Sequence, residues 1–119
     1  LQDSPRLSVH ADKLISSAIQ NGGRLYLSTI SLVETMYLKE KGRISADAWE
    51  LITTELQQED TPFSLIPLGL DIVNALPSVS SREVPDMPDR IIASTAVFLK
   101  LPLVTRDRKI QASQVETIW

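Results

Sequence analysis

The stretch that most constrains this chain is Asp86–Lys100, reading DMPDRIIASTAVFLK. Ile91, Ile92, Thr95, Ala96 and Leu99 recur at helical spacing, which predicts a helix with one buried face. Its start is acidic, and Pro88 falls in the first turn, where a missing backbone N–H costs nothing. Beyond it the chain reads Pro102-Leu103-Val104-Thr105-Arg106-Asp107, a short apolar strand that stops at an acid. Helix, turn, buried strand and a carboxylate at the strand's carboxyl end form half of an α/β site, because such folds bind ligands beyond the carboxyl ends of their strands.

A chain of 119 residues is expected to form a single domain over 1–119, with one core. It has no cysteine, which removes disulfides and thiolate metal sites, and its one histidine, His10, removes multi-histidine zinc chemistry. Any metal would be a hard cation held by oxygen atoms. No apolar run reaches the length of a membrane span and nothing reads as a signal peptide, so the sequence predicts a soluble, cytoplasmic protein with no membrane partner. The net charge of −3 argues against nucleic-acid binding by bulk electrostatics. It leaves room for acids clustered around a metal with bases beside them. Lys39, Lys41 and Arg43 form one basic knot, and Arg106, Arg108 and Lys109 form another next to Asp107. Each knot taken alone reads as solvated surface.

In chain order, Leu1 to Leu7 reads as an extended lead-in. Ser8 caps a helix to Gln20, with Val9, Leu14, Ala18 and Ile19 on its apolar face and His10 exposed, and Asn21-Gly22-Gly23 closes it. Leu25-Tyr26-Leu27 is a buried-strand candidate, followed by a helix to about Lys41. Ser31 and Glu34 have capping-box spacing, which gives Glu34 a structural explanation as well as a functional one. Ser45 opens a helix to about Glu59 with Trp49, Ile52 and Leu56 on one side. Phe63 to Pro67 reads as a strand, and Gly69 to Leu76 as a short helix stopped by Pro77. Ser78 to Pro85 reads as a loop and a candidate for mobility. After the Asp86 helix and the Leu103 strand come one turn, Arg108 to Ala112, and a last strand, Val115 to Ile118. Short apolar strands alternating with helices predict an α/β fold with a parallel sheet covered on both faces and right-handed crossovers.

That topology gathers acids. Glu34 lies a helical turn beyond the first strand, Asp107 directly after the Leu103 strand, and Asp86 and Asp89 at the start of the helix between. Asp86 reads mainly as a helix cap, with Asp89 three residues on. Carboxylates gathered at one sheet edge repel unless a cation lies between them, and Mg²⁺ or Mn²⁺ suits such a site while leaving positions for phosphate oxygens.

Four segments carry a family resemblance: Ser28-x-x-Ser31-x-x-Glu34; Lys41-Gly42-Arg43-Ile44; Asp86-x-x-Asp89-Arg90-Ile91-Ile92-Ala93-x-Thr95-Ala96; and Leu103-Val104-Thr105-Arg106-Asp107. Together they resemble the PIN domain, and more closely the VapC-type toxins of bacterial toxin–antitoxin pairs, over nearly the whole chain. The resemblance implies a three-layer α/β/α, Rossmann-like fold and a Mg²⁺- or Mn²⁺-dependent ribonuclease that dimerises and is held inactive by a cognate antitoxin. It places the metal-binding, catalytic acids on Glu34, Asp89 and Asp107. Ser31, Asp86 and Thr105 flank them, and Arg90 and Arg106 contact RNA phosphate.

One departure accompanies the match. The family opens with a strand that ends in its first metal-binding aspartate and lies at the centre of a sheet ordered 3-2-1-4-5. Here Asp3 stands in a polar, proline-interrupted lead-in that does not fit that role. A central strand of about five residues would contribute about 8 kcal/mol, comparable with the whole stability of a small domain. Three outcomes follow: a longer native protein, a partner chain in the gap, or direct pairing of the Leu25 and Leu103 strands. The expectation is a longer native protein, with the present chain held together as a dimer and of little or no activity. Two functions are weighed, a metal-dependent endoribonuclease toxin and a non-catalytic PIN-like module that binds antitoxin or RNA. A phosphoacceptor of the response-regulator type is discounted, because Lys109 is displaced from any strand end that could serve it.

Overall fold

Strand β1, Leu25–Ser28, starts three residues after Gly22, whose φ of 77° is the left-handed conformation that glycine adopts without steric cost. The computed structural model describes residues 22–119 together with Lys13, Ser16, Ser17 and Gln20, and these four are helical. The expected lead-in, the Ser8 cap, Asp3, His10, the apolar positions Val9, Leu14, Ala18 and Ile19, and Asn21 lie outside the described residues.

β1 runs directly into helix α1, Thr29–Glu40. The cap is Ser28, whose Oγ accepts from the Ile30 N–H at 3.3 Å, so the Ser31–Glu34 capping box expected from the sequence does not form. Ser31 is already one turn inside the helix, where its carbonyl accepts from Thr35 Oγ1 at 2.8 Å. Starting the helix at the end of the strand leaves Ser31 and Glu34 one turn apart on one face, free to act as side chains. Gly42, at φ 76°, ends α1 as its N–H returns to the Lys39 carbonyl.

Helix α2, Ala46–Leu56, is capped by Ser45 Oγ on the Ala48 N–H at 3.0 Å and stops three residues short of the predicted end. Trp49, Ile52 and Leu56 are half-buried, and Leu51, on another side, is 73% exposed. β2, Phe63–Ile66, pairs parallel to β1 with Leu25 opposite Phe63 and Ser28 opposite Ile66. Helix α3, Leu70–Ala75, continues through Pro77 as a 3-10 turn, Leu76–Ser78. Proline is accommodated because it enters the new turn among its first residues, where no N–H is required; the predicted stop at Pro77 is therefore only a change of helix type.

The segment before the central helix is anchored, contrary to the mobility expected of it. Val79 and Val84 are among the most buried side chains, and Arg90 donates to the Val79 carbonyl at 2.9 Å and the Leu76 carbonyl at 3.1 Å. Helix α4, Met87–Leu99, starts at the Asp86 cap with Pro88 in its first turn and ends at Lys100 in the left-handed region, φ 59°. Ala93 and Ser94 are completely buried. Ala93 joins Val79, Val84, Ile110 and Val115 in the core, with Leu103 packed against them.

β3, Leu103–Val104, and β4, Thr117–Ile118, pair in parallel, with the one-turn helix α5, Arg108–Gln111, between them. The last strand is shorter than predicted, since Val115 is drawn into the core instead of the ladder. The mixed α/β fold with short parallel pairing agrees with the sequence reading. The single sheet does not: β1–β2 and β3–β4 form two separate pairs. β1 and β3 are not hydrogen-bonded to each other, which excludes the third of the outcomes considered for the gap. Between the pairs runs a slot floored by α4.

Candidate metal centre

Each acid of the site is placed by a local structural rule. Asp86 caps α4, its Oδ2 accepting from the Asp89 N–H at 3.2 Å. That bond sets Asp86 and Asp89 side by side at the positive end of the helix dipole. Glu34 arrives from α1, which packs against α4. Asp107 caps α5, its Oδ1 accepting from the Ile110 N–H at 3.0 Å, while its own N–H donates to Thr105 Oγ1 at 3.0 Å. Thr105 thus fixes the turn that carries Asp107.

Glu34, Asp86 and Asp89 each offer a carboxylate oxygen, all within 4.8 Å of one another. Asp107 faces the same pocket of about 480 Å³, which is also lined by Val84, Pro85, Arg108 and Lys109. Burial raises the Asp89 carboxyl from 3.8 to about 6, and the charges of Asp86, Asp107 and Glu34 and a side-chain hydrogen bond with Asp86 push the same way. Glu34 is also raised, first by burial and then by Asp86. These groups resist losing their protons together, and a divalent cation relieves that repulsion. The donor set, all carboxylate oxygen, suits Mg²⁺ or Mn²⁺, and spacings below 5 Å let three oxygens approach one ion with little side-chain movement.

Of the residues singled out in the sequence, the fold brings Glu34, Asp86 and Asp89 into one group and sets Asp107 on the wall of their pocket. Asp86 caps its helix as expected, and it also stands among the three acids able to share an ion. Ser31 lies on the adjoining slot between the half-sheets. Arg90 directs two donors to main-chain carbonyls, and Arg106 is exposed. The sequence alone reads Arg108 and Lys109 as solvated surface, yet they line the acid pocket. Their position directly after Asp107 at a strand end was the signal available for them. Val84 and Pro85 carried no such signal; only the anchoring of their segment brings them there.

Among the described residues no helix is long and apolar enough to cross a membrane. Comparison with curated proteins and with solved structures finds no match to this chain. The family model of the PIN domain, a nuclease family whose members typically bind divalent metals, matches residues 1–115. With acids from α1 and α4 meeting beyond a parallel strand, and a family match spanning almost its entire length, the chain belongs to the PIN domain family.

Proposed function

We propose that this protein is a Mg²⁺- or Mn²⁺-dependent endoribonuclease that hydrolyses RNA phosphodiester bonds, and that it is the toxin of a type II toxin–antitoxin pair, acting as a homodimer and restrained by its cognate antitoxin. The observation that carries the reading is the convergence of Glu34, Asp86 and Asp89 within 4.8 Å, with Asp107 on the same pocket wall and basic side chains at its edge.

Glu34, Asp86 and Asp89 would hold the ion, with Asp107 completing the negative field. The chemistry such a cation supplies when bound is a water acidic enough to attack near neutral pH and compensation of charge developing on the phosphate. The chain's own residues provide the remainder. Thr105 keeps Asp107 in position through its bond to the Asp107 N–H. Arg106, Arg108 and Lys109 supply cations to orient RNA phosphates toward the acids. Arg90 holds the 76–79 turn through the Val79 and Leu76 carbonyls, and it is a proposed contact to RNA phosphate.

The test is cleavage of end-labelled RNA by the purified protein in Mg²⁺ or Mn²⁺, with and without chelator. Because Asp86 joins Glu34 and Asp89 as a third carboxylate, the expected result is metal-dependent internal cleavage in place of the little or no activity expected from the lead-in, lost in Asp89→Asn while the circular dichroism spectrum is unchanged. Cleavage that survives Asp89→Asn would place the chemistry elsewhere. Absence of Mn²⁺ binding at millimolar concentration by calorimetry would favour the second reading, a PIN-like module that binds RNA or an antitoxin without cutting.

A further inference from the structure

Helix α1 brings Glu34 to the acid cluster, and the fold does not explain what the helix presents beyond that acid. At the pitch of an α-helix, Glu34, Tyr37 and Lys41 fall on one stripe, with Tyr37 about 4.5 Å and Lys41 about 10.5 Å further along the axis. The Tyr37 side chain is 60% exposed, although α1 packs against both α4 and α2 and offers other faces for an aromatic ring to be buried. Among the described residues neither the Tyr37 hydroxyl nor the Lys41 ammonium has a hydrogen-bond or ion-pair partner.

The far end of the stripe is held in place. The Gly42 N–H donates to the Lys39 carbonyl at 3.0 Å and the Arg43 N–H to the Leu38 carbonyl at 2.8 Å, the paired bonds that close a helix around a left-handed glycine. They return the Arg43 backbone to the last turn, and Lys41 and Arg43 are both exposed there. The helix dipole favours cations at this end and accounts for Lys39 and Lys41 taken alone. It does not account for Tyr37. Cations stand at the acid pocket in Arg108 and Lys109 and again at Lys41, and the aromatic ring lies between the acids and the second group. Cations beside an exposed ring suit an unpaired nucleic-acid strand, whose phosphates meet the charges while a base lies on the ring. Glu40, exposed and also one turn beyond Tyr37, lies on the other side of the ring and repels phosphate, which keeps such a strand on the Lys41 side.

We propose that Tyr37 is a stacking platform for a base adjoining the cut phosphodiester and that Lys41 holds the phosphate beside it, so that an RNA strand bound at the acids continues along α1. Stacking fixes the register of the strand on the acid cluster. The inference takes RNA as the ligand from the ribonuclease reading and adds the path and the group that holds the base.

The test is fluorescence anisotropy of a labelled, unstructured RNA of about ten nucleotides, titrated with the whole chain in chelator and again in Ca²⁺. Tyr37→Ala and Tyr37→Leu should each bind about tenfold more weakly than the parent, whereas Tyr37→Phe, which keeps the ring, should stay within about twofold. Lys41→Ala should lower the slope of log affinity against log salt by about 0.7. A duplex of the same sequence, its bases already stacked, should bind the parent and Tyr37→Ala alike. Unchanged single-strand affinity in Tyr37→Ala or Tyr37→Leu, an equal loss for the duplex, or Tyr37→Phe as weak as Tyr37→Ala would each overturn the platform. An unchanged salt slope in Lys41→Ala would overturn the path, and no RNA binding by the parent in either solution would overturn both. Cutting is not a readout. Tyr37-dependent binding without cleavage refutes the nuclease reading alone, and metal-dependent cleavage without Tyr37-dependent binding refutes this inference alone.

Discussion

Neutralising Asp89 should stabilise the metal-free protein while removing its capacity to hold a metal. Burial, with the neighbouring carboxylates, pushes the Asp89 carboxyl up to about 6 from an ordinary 3.8, which is roughly 3 kcal/mol between its charged and neutral forms. Asp89 is only half-buried, so solvent screening reduces the share that reaches folding stability to about 1 kcal/mol. Its folded-state pKa lies above the unfolded one. Its contribution therefore favours the fold fully below about pH 4 and is lost as pH rises through about 6. In Asp89→Asn the amide can donate to Asp86 as the protonated acid does, and the cost is the favourable charge in the first turn of α4, about 0.3 kcal/mol or somewhat more. Thermal unfolding with chelator should then show Asp89→Asn about 3 °C more stable than the parent at pH 7.5, and no different near pH 3.5. A metal at a hundred times its Kd should raise the parent by about 2.7 kcal/mol and the variant by far less. If the variant is less stable at pH 7.5 without metal, or if Mn²⁺ shifts both proteins equally, burial beside other carboxylates is not what raises Asp89.

Other substitutions separate placement from chemistry. Asp86→Asn keeps the cap on α4 and should leave stability within about 0.5 kcal/mol, whereas Asp86→Ala should lose about 1 kcal/mol in denaturant melts, and both should weaken Mn²⁺ binding in calorimetry. Thr105→Val removes the acceptor for the Asp107 N–H, so RNA cleavage should fall while the circular dichroism spectrum is retained. Arg90→Ala frees the Val79 and Leu76 carbonyls and should cost about 2 kcal/mol in urea denaturation. Lys100→Gly, at the left-handed end of α4, should stabilise by about 0.5 kcal/mol, read as a rise in the urea midpoint without a change in slope.

Much of this was legible in the residues themselves because it depends on near neighbours. The Asp86 cap, Pro88 and the apolar repeat dictate α4; Ser45 dictates the start of α2; an aspartate after a short apolar strand marks the rim of an α/β sheet. Each is settled within a few residues, by an orphan backbone N–H, a proline ring or the pitch of a helix. The acids Glu34, Asp86, Asp89 and Asp107 could be nominated for the same reason. Tertiary structure decided what depends on distant partners. It moved the cap of α1 from Ser31 to Ser28, fixed Val79 and Val84 in the core by way of Arg90, and put Asp86 into the group that Glu34 and Asp89 share. It also left β1 and β3 unpaired across a slot. Which strand edges meet, and which carboxylates come within a few ångströms, is a balance of packing and repulsion between segments fifty residues apart, and no local pattern encodes that balance.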